Sequence, residues 1–126
     1  MIISKFEDIP VWQESRIFLK KIHNLINNNR KLKCDYAISD QLRRAAYSIN
    51  LNIAEGFERG SNTEFANFLN IAKGSAGEVR AILYLIEDNA YVVGEGLVKL
   101  RSEVQIISTH IANFREFLLI NKTRKK

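Results

Sequence analysis

The chain has 126 residues, 46% hydrophobic and 26% charged, with a formal net charge of +5. This is the composition of one globular domain long enough to bury a core, and it argues against disorder. No apolar run reaches the ~20 residues of a membrane span, and the lone Cys34 excludes an internal disulfide, so a reducing cytoplasm is the expected setting.

Apolar residues recur at alternating spacings of three and four in four segments, and no strand-like alternation appears, which predicts an all-α fold. The first helix opens at Asp8-Ile9-Pro10, a cap followed by a proline suited to the first turn. Its inward residues are expected to be Trp12, Leu19, Ile22 and Ile26, flanked by Phe18 and Leu25. Asn27-Asn28-Asn29 and the basic Arg30-Lys31-Leu32-Lys33 end it. Ser39-Asp40 can cap the second helix, whose stripe is Ile38, Leu42, Ala45, Ile49 and Ile53, with Ala46 and Phe57 beside it. Gly60 stands where a helix C-terminus calls for positive φ, and Ser61 to Glu64 reads as a capping box opening the third helix. That helix carries Phe65, Leu69, Ala72, Ala76, Val79, Leu83, Ile86 and Ala90. Gly94-Glu95-Gly96 separates it from the fourth, with Leu97, Leu100, Val104, Ile107, Ile111, Phe114 and Leu118. A repeat near 3.5 residues and short links predict one domain over 1–126, an up-down-up-down antiparallel four-helix bundle of left-handed packing. Residues 121–126 form a basic tail expected to fray.

Much of the excess charge lies in that tail, at Lys122, Arg124, Lys125 and Lys126. Setting those four aside leaves 15 basic against 14 acidic residues, so net charge alone is a weak argument for nucleic acid. The remaining candidates for phosphate contact are Arg30, Lys31 and Lys33 as one cluster and Arg43 with Arg44 as another.

Within SINLNIAEGFERGS, residues 48–61, the turn accounts for Gly60 and Ser61 but not for Asn52, Glu55, Gly56 and Arg59. Arg44, Ser48, Asn52, Glu55 and Arg59 line one side of the second helix, and Glu55 and Arg59 have ion-pair spacing. The stripe reads either as an internal polar network, the favoured reading, or as a ligand contact. Gly74-Ser75-Ala76-Gly77 lies inside the third helix, where each glycine costs about 1 kcal/mol relative to alanine. Close approach of another helix or subunit at Gly74 and Gly77 is expected; a kink is the alternative. No constellation for catalysis, metal or cofactor is present: His23 and His110 have no helical partner ligand, and no phosphate loop occurs.

DQLRRAAYSINLNIAEGFER, followed by FANFLNIAKGSAGE and preceded by VWQES, resembles a four-helix-bundle family encoded within intervening sequences of bacterial large-subunit ribosomal RNA genes. The resemblance covers about residues 6–118; Asn50 stands where the family commonly has proline, and Ala76 where it often has a larger apolar residue. It implies a closed homopentamer, as in the related accessory protein of diversity-generating retroelements, which binds nucleic acid and a reverse transcriptase. It implies no catalytic activity.

Apolar residues outside the seams are the expected subunit contacts: Tyr47, Leu51 and Ala54 on the second helix, Ile71, Ile82 and Leu85 on the third, Ile106, Phe117 and Ile120 on the fourth. Two function classes follow. One is a non-catalytic oligomeric scaffold binding RNA or DNA, in which repetition multiplies a weak basic patch, although aromatics are not interleaved with the cations along the sequence. The other is an adaptor that docks a partner enzyme.

Overall fold

The computed structural model describes residues 3–121, and the cations expected at Lys122, Arg124, Lys125 and Lys126 lie outside the described residues. The described chain is helical, with a 3-10 turn at Phe6–Asp8 and then α1 (Pro10–Asn27), α2 (Arg30–Cys34), α3 (Tyr36–Glu58), α4 (Asn62–Asp88) and α5 (Glu95–Ile120). The four long helices form a square in which α1 touches α3 and α5, and α4 touches the same two from the opposite corner. Neighbours run antiparallel, since partners rise in number on one helix as they fall on the other. Ser15 meets Asn50 and His23 meets Tyr47; Ser48 meets Ser75 and Gln41 meets Glu78; Glu87 meets Arg101 and Ala66 meets Arg115; Glu14 meets His110 and Lys21 meets Glu103.

Every expected seam residue of α3 and α4 is buried or half-buried, except Ala90. Ala90 lies past the end of α4 with φ 54°, in the turn that leads to α5. In α1, Ile22 and Ile26 are buried as expected, but ahead of them the buried line is Val11, Ser15 and Phe18, one position away from Trp12 and Leu19, which are half-buried. The cause is Ser15, a polar residue inside the seam. It donates to Trp12 O at 2.7 Å and accepts from Asn50 Nδ2 at 3.1 Å. α3 runs unbroken through Asn50, whose amide tethers α1 to α3 in the position where proline is common in the resembling family.

Three helix starts differ from expectation. Ile9, not Asp8, precedes α1, and its extended backbone makes no side-chain cap. Asp35, not Ser39 or Asp40, caps α3 by accepting from Ile38 N, while Ser39 is buried one turn in and donates to Asp35 O at 2.8 Å. The basic run 30–33 does not close α1 but makes the separate turn α2, anchored by fully buried Leu32. Ser61 caps α4 through Glu64 N, as expected. Gly94, at φ 107°, precedes α5, which already includes Glu95 and Gly96. Asn121 ends α5, donates to Phe117 O at 3.0 Å and accepts from Asn62, so the chain is held up to that residue.

Asp35 also ties the two connections at one end of the bundle together, because Tyr91 Oη donates to its Oδ2 at 2.8 Å. That bond, with a smaller desolvation effect, raises the phenol above its ordinary value of about 10. Its contribution to stability is therefore complete below about pH 10 and is lost as pH climbs through the raised value. Thermal melts of the wild type and Tyr91→Phe should differ at pH 8 and converge toward pH 11 or above. A gap that does not narrow would show that the hydrogen bond does not stabilise the fold.

Candidate nucleic-acid interface

Geometry first separates structural from available polar groups. Asn52 Nδ2 donates to Ser48 O at 2.8 Å and to Ser48 Oγ at 2.9 Å; Ser48 Oγ lies 2.7 Å from Ser75 Oγ; Ser75 Oγ donates to Ile71 O at 3.1 Å. Each hydroxyl has one proton, so the direction is fixed. Asn52 donates to Ser48, Ser48 to Ser75, and Ser75 to a backbone carbonyl. The relay crosses from α3 to α4 and spends both hydroxyl protons internally.

The other residues of the stripe have separate explanations. Arg59 pairs with Glu55 at 2.7 Å and lies 4.9 Å over the ring of Phe68, and the Glu55 bond raises its pKa further, so it stays charged. Gly56 is buried, and a Cβ there would lie 2.6 Å from Phe68 Cβ and 2.8 Å from Phe65 Cδ1. This is the place where α3 and α4 touch backbone to side chain. Gly74 and Gly77 are different. Both face outward, and a Cβ at either would meet nothing within 4 Å, which corrects the expectation of close helix approach there within the chain.

The cations divide in the same way. Arg43 pairs with Asp40 at 3.0 Å, Lys21 with Glu103 at 2.9 Å, and Arg101 with Glu87 at 3.3 Å while stacking on Tyr84. Arg115 donates to Ala66 O at 3.2 Å. Arg30, Lys31, Lys33 and Arg44 are exposed and have no carboxylate partner among the described residues. Three of these four project from the single turn α2 at one end of the bundle.

The apolar residues expected at a subunit contact do not form one patch. Leu51 (60% exposed), Ile71 and Leu85 lie outward on α3 and α4. Ile106 (51% exposed) and Phe117 lie on α5, and Ile106 lines a groove of about 260 Å³ with Glu14, Ile17, Phe18, Glu103 and Ile107. Ile17, exposed on α1, was not anticipated; its spacing falls outside the α1 seam, and that was the available signal. Ile82 is 5% exposed and belongs to the core, because α4 is covered by both α3 and α5 and so has a wide buried face. Tyr47 turns toward α1, its Oη 2.9 Å from His23 Nε2. Ile120 is exposed near the end of α5, and Ala54 is half-buried.

His110 pairs with Glu14 at 2.8 Å on the surface between α1 and α5, and Cys34 is exposed. Among the described residues no group of three or more His, Cys, Asp or Glu side chains is placed to hold a metal ion. No described helix is long and apolar enough to cross a membrane.

Comparison with known proteins agrees with the fold and the motifs. No curated protein matches the chain. A crystal structure of a protein with unknown function from the S23 ribosomal protein family of Bacteroides thetaiotaomicron VPI-5482 is similar, with TM-score 0.77 and 27% identity over 83% of this chain and 97% of that one. Residues 7–113 match the family described as 23S rRNA-intervening sequence protein, and this span holds α1 to α4 and most of α5. With the buried Gly56, the Ser48–Ser75 relay and the Ser61 cap all inside that span, the chain belongs to the 23S rRNA-intervening sequence protein family.

Proposed function

We propose that the chain is a non-catalytic, self-associating scaffold that binds nucleic acid through the cations of α2 and the outer face of α3. The observation that carries this reading is the clustering of Arg30, Lys31 and Lys33 on the single turn α2, with Arg44 on α3, all exposed and without a carboxylate partner among the described residues. An unpaired surface cation gains more from a phosphate than one that must first leave a carboxylate. The family description names a 23S rRNA intervening sequence, and that association supports a polyanionic partner over a neutral one. Self-association is supported by the two separate exposed apolar faces, and repetition of the basic turn around an assembly would raise avidity without new contacts.

Binding of this kind is dominated by phosphate contacts and must weaken with salt. Anisotropy of a labelled 30-nucleotide RNA should show affinity falling steeply between 50 and 200 mM salt. Replacing Arg30, Lys31 and Lys33 together with glutamine should reduce the log–log salt slope by about 2 per chain, on the basis of ~0.7 counterions per single-strand phosphate contact. An unchanged slope would remove α2 from the interface. An absence of binding even at low salt would overturn the reading and leave the adaptor role.

A further inference from the structure

Along the sequence the aromatic residues and the cations look unrelated, but the fold interleaves them. Tyr36, Asp40, Arg43 and Tyr47 are spaced four, three and four residues apart and therefore share one side of α3. Trp12, Arg16, Lys20 and His23, spaced four, four and three residues apart, likewise share one side of α1. The contact of Tyr47 Oη with His23 Nε2, at 2.9 Å and with ring centroids 5.4 Å apart, joins the two lines edge to edge. Arg16 lies 5.7 Å over the Trp12 ring. The only carboxylate in either line is Asp40, and Arg43 already pairs with it. α2, with Arg30, Lys31 and Lys33, directly precedes Tyr36.

Tyr36 is the unusual member. It is 72% exposed and makes no hydrogen bond or ring contact with a described residue. A single exposed tyrosine is ordinary, but one that lies two residues past the end of α2, with its unpaired cations, has both elements of a base-stacking platform. Duplex keeps its bases inside, so a free ring next to cations discriminates in favour of unpaired bases. Tyr36 and Tyr47 are eleven residues apart, about 16 Å along the helix axis, which a strand of about five stacked nucleotides spans.

We infer that the α1–α3 face binds single-stranded nucleic acid, with Tyr36 and the Tyr47–His23 pair as stacking surfaces and the cations of α2 and Lys20 holding the backbone. This rests on the nucleic-acid reading above and narrows it to one class of ligand. The site sits on the edge of the square formed by α1 and α3, which is neither of the two edges that expose apolar patches. Assembly through those patches would leave it open to solvent.

The test compares a 12-nucleotide oligouridine, a 12-nucleotide oligothymidine and a 12-base-pair RNA duplex by fluorescence anisotropy at low salt. Both single strands should bind more tightly than the duplex, and the ratio between them tells RNA from DNA. Tyr36→Ala should weaken single-strand binding about tenfold, near the lower end for loss of a stacking ring, and leave duplex binding unchanged. Tyr36→Phe should retain single-strand affinity, because the ring and not the hydroxyl does the stacking. Circular dichroism of each variant should show unchanged helix content, as expected for substitutions at an exposed position. Equal binding of duplex and single strand, or Tyr36→Ala with undiminished single-strand affinity, overturns the inference and leaves the broader reading standing. Failure of all three probes to bind overturns both.

Discussion

Gly56→Ala should destabilise the protein by about 1–3 kcal/mol in urea unfolding, whereas Gly74→Ala should leave the isolated fold as stable or stabilise it by about 0.5–1 kcal/mol. The two substitutions are chemically identical and both lie inside helices, where alanine is favoured over glycine by about 1 kcal/mol. The opposite signs come from what lies outside the helix. At Gly56 the added methyl would stand 2.6 Å from Phe68 Cβ, an atom fixed to the α4 backbone, and 2.8 Å from the Phe65 ring. Neither can swing away cheaply. Phe65 is 2% exposed, with its ring edge-on to both Phe57 and Phe114, so moving it disturbs the core between α3, α4 and α5. Relief requires α3 and α4 to separate along a seam that also holds the Ser48–Ser75 bond. Overpacking therefore outweighs the propensity gain. At Gly74 nothing lies within 4 Å and only the propensity gain remains. A neutral Gly56→Ala would mean that the α3–α4 contact is looser than the geometry indicates.

The periodicity of apolar residues carried the bundle and the core faces of α3, α4 and α5, because in these helices apolar side chains and burial coincide. In α1 it places Ile22 and Ile26 correctly but shifts the first half of the seam by one position, for a specific reason. Ser15 is buried but polar, so a pattern built on hydrophobic residues steps over it and settles on Trp12 and Leu19. The α3 start was misread for a similar reason. Ser39 and Asp40 have capping chemistry, but Asp35 reaches Ile38 N first, and its tie to Tyr91, 56 residues later, could not be seen in local sequence. Gly56 was visible as an oddity without a cause, since its cause is a pair of rings on another helix. The line Tyr36, Arg43 and Tyr47 on α3 is legible from its spacing, but its continuation onto α1 exists only once His23 lies against Tyr47.

Size exclusion with light scattering should give a mass several times the 14.5 kDa of one chain. α3 and α4 form one edge, bearing Leu51, Ile71 and Leu85; α5 and α1 form the opposite edge, bearing Ile17, Ile106 and the groove between them. Two different apolar patches on opposite edges suit a head-to-tail contact, in which the protruding side chains of one copy fill the groove of the next. Such contacts close into rings when the rotation per step permits, and the family resemblance suggests five copies. The outward Gly74 would let a neighbouring copy approach α4 closely, so Gly74→Ala should weaken assembly even though it spares the single chain. Leu51→Asp and Ile106→Asp each damage one edge at an exposed position, so both should yield folded monomers. Mixing them distinguishes the geometry. Leu51→Asp keeps an intact α5–α1 edge and Ile106→Asp an intact α3–α4 edge, so a head-to-tail contact produces a one-to-one dimer that cannot grow. If each patch instead met its own copy, each variant alone would dimerise through its undamaged edge, and mixing would add nothing. Wild-type protein that remains monomeric at tens of micromolar would overturn self-association and, with it, the gain in avidity for nucleic acid.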